Sequence, residues 1–382
     1  MKINNTELII KASILEDGLI DQIKGMVQRN PRLFDNETIV LMADAHKTSN
    51  EINTDSVPVG FTMTLSKGLI PVDYVSADMF CGVSGLVIKD FVPTTRQLKN
   101  LGKIARDIIP VNRTMSPEYT ITDRGTLGGG NHFVEVGVSG SDTLIAVHSG
   151  SRNFGGDMFK KHKLIATKHT KEYLKEVRVD ALQEIEPKDR QNYLENLPQM
   201  SGLPLLDIRK YPEYWSDLED AREFAQDSRL RLLFAVSAAL GVAEVERFDY
   251  DAVESVHNFV DNSGKVPIVR KGSISAVNGM EVIIPINMRD GIIVGKARLT
   301  EEVNSSLPHG AGRVLSRGNA FKQLNLEEFI EDMKDVVSPT IQLETLDESP
   351  RAYKPIEAII EDISPFMDDI KVFKPVFNYK GI

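Results

Sequence analysis

The 382-residue chain carries 45 basic and 55 acidic residues, a formal net charge of -10. Its content of 41% hydrophobic and 26% charged residues is ordinary for a globular protein and excludes a disordered or fibrous chain. No apolar run approaches the roughly 20 residues that cross a bilayer, and no signal peptide is recognisable, so we expect a cytoplasmic protein. The acidic balance argues against non-specific polyanion binding and restricts any nucleic-acid site to a local basic cleft.

Short runs rich in β-branched and aromatic residues predict strands up to about residue 155. These runs are TIVLMA, GLIPVDYV, GVSGLVI, NHFVEVGV and TLIAVHSG. Between about 157 and 247 the sequence changes to charged segments with helical periodicity, which predicts a helical insertion. Ser216 and Glu219 have the spacing of a capping box, so a long helix is expected to begin at Ser216.

Strand-like runs return at KVPIVRKGSISA and MEVIIPINM, and the chain closes with mixed elements. Neither an internal repeat nor a long linker divides the sequence. Sheet before and after a helical insertion therefore predicts an α+β fold with a β-sheet core, organised as a single domain over residues 1–382.

Cys81 is the only cysteine and follows Asp78 in the run SADMFCG. A single cysteine cannot form an internal disulfide, so it is a packing residue, a nucleophile or a metal ligand. Gly82 allows a sharp turn that would let carboxylate and thiolate face one ion. The alternative is a buried cysteine beside an ordinary turn aspartate.

The run GTLGGGNHFVEV places Asn131, His132 and Glu135 after three glycines. Consecutive glycines allow the backbone to approach a ligand closely. Strand alternation would put His132 and Glu135 on opposite faces, so one could bind metal while the other meets a second ligand such as a nucleobase. A simple glycine hairpin is the alternative.

Further histidines lie at element ends in polar turns. His148 is followed by Arg152, whose guanidinium suits phosphate oxygens unless it is merely solvated. His257 precedes Asn258, a candidate partner that would orient the imidazole.

The run SSLPHGAGRVLSRGNA holds His309 in a tight loop with Arg313 and Arg317 close behind. Two nearby cations would keep the imidazole neutral and nucleophilic, and would neutralise charge on a phosphoryl group. The alternative is a helix N-terminal turn with solvated arginines. Cysteine, histidine and aspartate together suit zinc, iron or manganese, and zinc is the default from ligand chemistry alone.

These motifs resemble those of the RtcB RNA-splicing ligase family. Asp-x-x-Cys-Gly, Gly-x-Gly-Asn-His-Phe-x-Glu, His-Ser-Gly-Ser-Arg, His-Asn and His-Gly-Ala-Gly-Arg all occur here in the family's order. The similarity extends upstream to the run DAH at Asp44 and downstream to AYKPI and the final Lys-Gly.

The resemblance implies that two manganese ions are held by five ligands, with Cys81 as the bridging ligand. Those ligands are Asp78, Cys81, His132, His148 and His257. It implies that His309 is guanylylated by GTP and passes GMP to an RNA 3'-phosphate, which a 5'-hydroxyl end then attacks; a 2',3'-cyclic phosphate would first be opened. The implied nucleotide contacts are Asn131, Phe133, Glu135, His309, Gly310, Ala311, Gly312, Tyr353 and Lys380.

The chain also departs from the family pattern. In IPINMRDG, Asn287 and Arg289 replace the serine and glycine of a Gly-Ser-Met-Gly turn, DAHKTSN differs from the usual upstream run, and Ser228 replaces a typical asparagine. We therefore expect a divergent paralogous branch. A metal-dependent phosphohydrolase or an RNA-binding protein is the alternative function, and an activating protein is a possible partner.

Without a long basic stripe, RNA is expected in a small cleft. Its basic residues would be Arg152, Arg270, Lys271, Arg313 and Arg317.

Overall fold

The computed structural model describes residues 1–48, 55–111, 124–184, 186–191, 203–242 and 252–381. The strands in chain order are β1 (Lys2–Ile3), β2 (Thr6–Ile10), β3 (Thr38–His46), β4 (Val59–Thr64), β5 (Leu69–Pro71), β6 (Gly82–Ile88), β7 (Phe133–Ser139), β8 (Asp142–Ser149), β9 (Leu205–Asp207), β10 (Val253–Val256), β11 (Phe259–Asp261), β12 (Ile268–Lys271), β13 (Ser273–Ser275), β14 (Glu281–Asn287), β15 (Gly291–Ala297), β16 (Ser306–Pro308) and β17 (Met367–Lys380).

The α-helices are α1 (Leu19–Arg29), α2 (Pro31–Phe34), α3 (Val72–Val75), α4 (Thr95–Ile108), α5 (Arg152–Glu184), α6 (Glu213–Ala239), α7 (Arg317–Gln323), α8 (Leu326–Asp332) and α9 (Ile356–Ile363). Short 3-10 helices include Leu343–Glu348 and Pro350–Ala352. The predicted α+β class with a β-sheet core is confirmed. Within the described ranges, no helix has both the length and the apolarity needed to span a membrane.

Two large sheets frame the site. The six-stranded sheet has the order β1-β2-β3-β4-β12-β11 and is antiparallel except for the β2–β3 pair. The seven-stranded sheet has the order β10-β6-β8-β7-β17-β15-β14 and is antiparallel throughout. Its adjacent strands β6, β8 and β7 bring residues from sequence-distant motifs together at one end of the strands.

Helix α6 covers the seven-stranded sheet. The predicted apolar stripe of Leu218, Ala221, Phe224 and Ala225 is buried, as helical spacing requires. Further along the helix, Leu232, Leu233 and Val236 pack with strand residues of β7 and β8 in one hydrophobic cluster. The helical middle of the chain is thus confirmed for α5 and α6, although β9 lies between them.

Two local predictions are wrong. Helix α6 begins at Glu213 rather than at Ser216, because Pro212 precedes it and Tyr214 is already buried on the helix. The run GLIPVDYV forms strand β5 only to Pro71, after which Val72–Val75 turn as a short helix.

The first part of the chain, up to about residue 155, also contains helices that were not predicted. Helix α4 begins at Thr94, where reciprocal hydrogen bonds with Gln97 complete a capping box. Helix α1 buries Leu19, Ile23, Met26 and Val27 against the six-stranded sheet.

Candidate active site

A buried group of three candidate metal ligands lies at the common end of the adjacent strands β6, β8 and β7. Cys81 precedes β6, His132 precedes β7, and His148 lies near the end of β8. The Cys81 Sγ atom is 3.3 Å from His132 Nε2 and 3.1 Å from His148 Nε2. The candidate ligand atoms of all three lie within 4.8 Å of one another, which is close enough to share one ion.

Asp78 adds a carboxylate to this group. Its Oδ2 lies 2.9 Å from His132 Nε2, while its buried Oδ1 has no hydrogen-bond partner among the residues described. Burial raises the pKa of Asp78, but hydrogen bonds with His132 and Cys81 outweigh it and lower that pKa to about 2. Gly150 makes the approach possible, since a Cβ there would lie only 2.1 Å from Asp78 Oδ1.

His257 lies between the metal-ligand group and the proposed nucleophile. Its ring centroid is 5.2 Å from that of His148 and 4.6 Å from that of His309. Its backbone N–H donates to Cys81 O at 2.8 Å, and its buried Nδ1 finds no partner in the described part of the chain. Burial holds the pKa of His148 and His257 well below the usual range, which keeps both imidazoles neutral.

The donor set fits a transition-metal centre. One thiol, neutral imidazoles and an ionised carboxylate provide soft and hard ligands together. Within the described residues, His257 Nδ1 and Asp78 Oδ1 have no hydrogen-bond partner, which leaves both atoms available to a cation. Asn258, which was expected to orient His257, accepts a hydrogen bond from Gly272 N through its Oδ1 at 2.9 Å.

A fully buried arginine on α6 supports the loops that carry these ligands. Arg229 Nη1 donates to the carbonyls of Phe80 and Ser149, each at 3.0 Å. Those residues are the chain neighbours of Cys81 and His148. Arg229 also donates to Ser84 Oγ at 2.8 Å and pairs with Glu254 at 3.3 Å, so the arginine fixes two metal-ligand segments to one helix.

His309 follows strand β16 and is held by Asp44 on β3. The distance from His309 Nδ1 to Asp44 Oδ2 is 2.5 Å, and the His309 backbone N–H donates to the same oxygen at 3.1 Å. Gly312 has a φ of +71°, and a Cβ there would lie 2.3 Å from Asp44 O. The glycines of the His-Gly-Ala-Gly-Arg run thus allow the loop to lie directly on β3.

The predicted action of two free arginines on His309 is wrong. Arg313 and Arg317 both pair with the buried Glu348, at 3.4 and 3.3 Å, and Arg317 also pairs with Asp347 at 2.5 Å. Their charges are largely neutralised by these carboxylates. The charged partner of His309 itself is Asp44.

A cavity of about 270 Å³ opens beside His309. Its lining includes every residue that was expected to contact the nucleotide: Asn131, Phe133, Glu135, His309, Gly310, Ala311, Gly312, Tyr353 and Lys380. His148 lines the same cavity, so the space is continuous with the metal-ligand group.

Glu348 organises one wall of this cavity from behind. Its Oε2 accepts from Lys380 Nζ at 2.6 Å and from Tyr353 Oη at 2.8 Å. Burial raises the pKa of Glu348, but Lys380, Arg317 and Arg313 outweigh it and lower that pKa to about 2. The carboxylate is therefore ionised and fixes the Tyr353 and Lys380 side chains.

Glu135 and His132 contact different groups, as the alternation of side chains along a strand predicted. Glu135 is buried on the cavity side, where Asn378 Nδ2 donates to its Oε2 at 2.8 Å. Burial raises the pKa of Glu135 to about 8, although Asn378 and Lys380 oppose the shift.

The predicted RNA cleft requires one correction. Arg270 is fully buried, where it pairs with Asp261 at 2.8 Å and donates to the carbonyls of Asn304 and Ser305. It is therefore a structural residue. Lys271 and Arg152 are partly exposed, and Arg317 retains 49% side-chain exposure.

The departure at IPINMRDG forms the turn between β14 and β15. Asn287 lines the cavity, but its amide binds Asp290 and the backbone N–H groups of Arg289 and Asp290. Arg289 pairs with Asp290 and Asp332 at the surface. The two substituted residues thus stabilise their own turn.

Sequence reasoning assigned no role to four residues that shape the site: Asp44, Arg229, Glu348 and Asn378. A signal existed for Asp44, in the run DAH, and for Glu348, shortly before AYKPI. No local pattern distinguishes Arg229 or Asn378.

Comparison with known proteins agrees with this arrangement. The profile of the RtcB family, described as tRNA-splicing ligase RtcB, matches residues 97–381. The chain therefore belongs to the RtcB family.

Curated relatives carry related names. The RNA-splicing ligase RtcB of Escherichia coli (strain K12) is 30% identical over 269 residues, covering 67% of this chain and 61% of that protein. The tRNA-splicing ligase RtcB of Nanoarchaeum equitans is 25% identical over 299 residues, covering 67% and 59% respectively. The tRNA-splicing ligase RtcB of Pyrobaculum aerophilum is 28% identical over 286 residues, covering 62% and 55%. The chain thus spans less than two thirds of the length of these relatives.

Proposed function

We propose that the protein is a GTP- and Mn²⁺-dependent RNA ligase that joins RNA 3'-phosphate or 2',3'-cyclic phosphate ends to 5'-hydroxyl ends. The observation that carries this proposal is the position of His309. It lies at one cavity with the buried carboxyl group of Asp44 behind it and the candidate metal ligand His257 beside it, at 4.6 Å between ring centroids. Nucleophile, metal ligands and nucleotide-sized space therefore meet at one point.

The hydrogen bond with Asp44 defines the nucleophilic atom. A carboxylate accepts the Nδ1–H of a neutral imidazole, so the lone pair stays on His309 Nε2. That atom attacks the α-phosphorus of GTP, forming the N–P bond as the bond to pyrophosphate breaks. Asp44 stabilises the positive charge that develops on the ring.

The RNA steps reuse the same position. An RNA 3'-phosphate oxygen attacks the guanylyl phosphorus and displaces His309, and the 5'-hydroxyl oxygen then attacks the 3'-phosphorus and displaces GMP. Bound manganese would neutralise phosphate charge and align the attacking and leaving oxygens. Asp78, Cys81, His132, His148 and His257 would hold it.

Incubation with α-labelled GTP and Mn²⁺ tests the first step. We expect acid-labile, protein-bound label on the wild type and none on His309→Ala. His169→Asn is a matched control, because His169 lies on α5 and bonds to Leu205 O rather than to the site. Unchanged labelling of His309→Ala would refute the proposal.

Product analysis separates ligation from the alternative of a metal-dependent phosphohydrolase. Only ligation yields an RNA product that is longer than either RNA substrate. The hydrolase alternative draws support from Asn287, whose amide is committed to its own turn. Release of phosphate without a longer product would favour it.

A further inference from the structure

The ladder between β7 and β17 forms a polar wall of the cavity. In its register, Asn378 lies opposite Glu135 and Lys380 lies opposite Phe133. Alternate residues of a strand project to the same face, so Asn378 and Lys380 share a side of the sheet. All four residues line the cavity, which makes this stretch of ladder a continuous recognition surface.

Asn378 is buried at this wall, with 1% of its surface exposed. Its Nδ2 donates to Glu135 Oε2 at 2.8 Å. Because the NH₂ end of the amide faces Glu135, the Oδ1 atom is directed elsewhere. Within the described residues, neither Asn378 Oδ1 nor Glu135 Oε1 has a hydrogen-bond partner, although both are buried.

Two unpaired buried acceptors in adjacent side chains call for donors from a ligand. Leaving such an oxygen without a partner costs about 1 to 3 kcal/mol, so native proteins rarely retain one without a reason. Here both residues line the cavity, where a bound molecule can reach them.

Lys380 supplies the opposite polarity next to them. Its Nζ donates to Glu348 Oε2 at 2.6 Å and lies 5.0 Å from the centroid of the Phe133 ring. An ammonium group has three donors, so some remain for a ligand. The wall thus offers a donor from Lys380 beside two acceptors, from Glu135 and Asn378, which lie opposite each other in the ladder.

One donor beside two acceptors complements the hydrogen-bonding edge of one nucleobase. Guanine presents its O6 acceptor, its N1–H donor and its exocyclic 2-amino donor in sequence. The edge of adenine presents a 6-amino donor and an N1 acceptor, which would place like groups together at Lys380 and Glu135.

We propose that Asn378 is a specificity-determining residue, whose Oδ1 accepts a hydrogen bond from the 2-amino group of guanine. The inference rests on the proposed function, since it requires that the cavity bind the base of the nucleotide. It adds a residue to the expected nucleotide contacts and assigns it one atom of the base.

Inosine triphosphate tests the assignment without any substitution, because it lacks only the 2-amino group. Protein-bound label is measured against the concentration of α-labelled GTP or inosine triphosphate in the presence of Mn²⁺. We expect the wild type to need about ten-fold more inosine triphosphate for half-maximal labelling, the effect of one lost hydrogen bond to a buried acceptor.

Asn378→Leu then removes the acceptor and keeps a similar branched shape. We expect its preference for GTP over inosine triphosphate to fall to about one, chiefly through weaker use of GTP. Asn278→Leu is the matched control, since that asparagine bonds to Glu301 and Thr300 and does not line the cavity, and its preference should equal that of the wild type. Asn378→Ala gives a second, smaller replacement without an acceptor if leucine impairs folding.

The outcomes separate the two proposals. Equal use of both nucleotides by the wild type, or a preference that survives in both Asn378 variants, would overturn the assignment while leaving nucleotidyl transfer intact. Failure of the wild type to take label from either nucleotide would overturn the proposed function, and the assignment with it.

Discussion

Asp44 Oδ2 lies 2.5 Å from His309 Nδ1, which joins strand β3 of the six-stranded sheet to the loop that follows β16 of the small β13-β16 sheet. Asp44 is fully buried on β3. Lys354 lies close by, where its Nζ donates to the carbonyls of Ala43 and Ala45. This surrounding structure keeps the aspartate in place behind the imidazole.

Replacing Asp44 with asparagine should slow guanylylation while leaving the metal ligands intact. The substitution removes the charge that stabilises the imidazolium and weakens control of the tautomer, so we expect about a 10²- to 10⁴-fold lower rate. The initial rate of protein labelling measures it, with bound manganese as the control. A rate within two-fold of the wild type would show that Asp44 does not act through His309.

Cys81 should determine the spectrum of a bound transition metal. Titration with Co²⁺ is expected to produce a thiolate-to-metal charge-transfer band in the wild type that Cys81→Ser lacks, together with at least about ten-fold weaker binding. His169→Asn should retain the band, as His169 is remote from the ligands. Persistence of the band in Cys81→Ser would exclude the cysteine as a ligand.

Arg229 should contribute strongly to stability. Arg229→Met leaves the Phe80 and Ser149 carbonyls without this donor and removes the ion pair with Glu254, and we expect the free energy of unfolding to fall by about 2 to 4 kcal/mol. Chemical denaturation measures the change. Arg231→Met, two residues along the same helix and 62% exposed, should cost less than about 1 kcal/mol. Equal effects of the two substitutions would contradict the supporting role.

Nucleotide affinity should rise with pH toward about 8. The pKa of buried Glu135 is raised to about 8, so below that pH its carboxyl is mostly protonated, whereas a guanine N1–H requires a carboxylate acceptor. Binding then releases a proton, and affinity should increase by up to about ten-fold per pH unit from pH 6 to 8 and level off above. Titration calorimetry in buffers of different ionisation enthalpy measures the number of protons released on binding.

Glu135→Gln is the control for that pH dependence. Glutamine does not titrate, so the variant should bind more weakly and with a flat profile over the same range. A slope that persists in Glu135→Gln would assign the dependence to another group.

The sequence was informative where chemistry depends on short motifs. Glycines allow close packing at two of these motifs, since a Cβ at Gly150 would lie 2.1 Å from Asp78 and one at Gly312 would lie 2.3 Å from Asp44. The predicted approach of the three consecutive glycines to a ligand stays a prediction. The cysteine and histidine motifs predicted a ligand group, and Cys81, His132 and His148 lie together.

Long-range partners escaped prediction for a physical reason. The interaction of Arg317 with Glu348 and that of His309 with Asp44 depend on how remote segments pack, which local spacing does not encode. Likewise, the capping-box spacing at Ser216 has no effect, because Pro212 and buried Tyr214 begin the helix one turn earlier. The burial of Arg270 was missed for the same reason. A basic residue in a strand is predicted to lie at the surface unless its buried carboxylate partner, here Asp261, is known.

The sequence distances across the site also imply an order of folding. Cys81 and His148 are 67 residues apart and meet through the pairing of adjacent strands, whereas Asp44 and His309 meet over 265 residues. Each doubling of a loop adds about 0.6 kcal/mol of closure entropy, so the longer closure is the less favourable by about 1.2 kcal/mol. We therefore expect a folding chain to bring Cys81 and His148 together before His309 is oriented, and to acquire part of its metal affinity earlier than its reactivity.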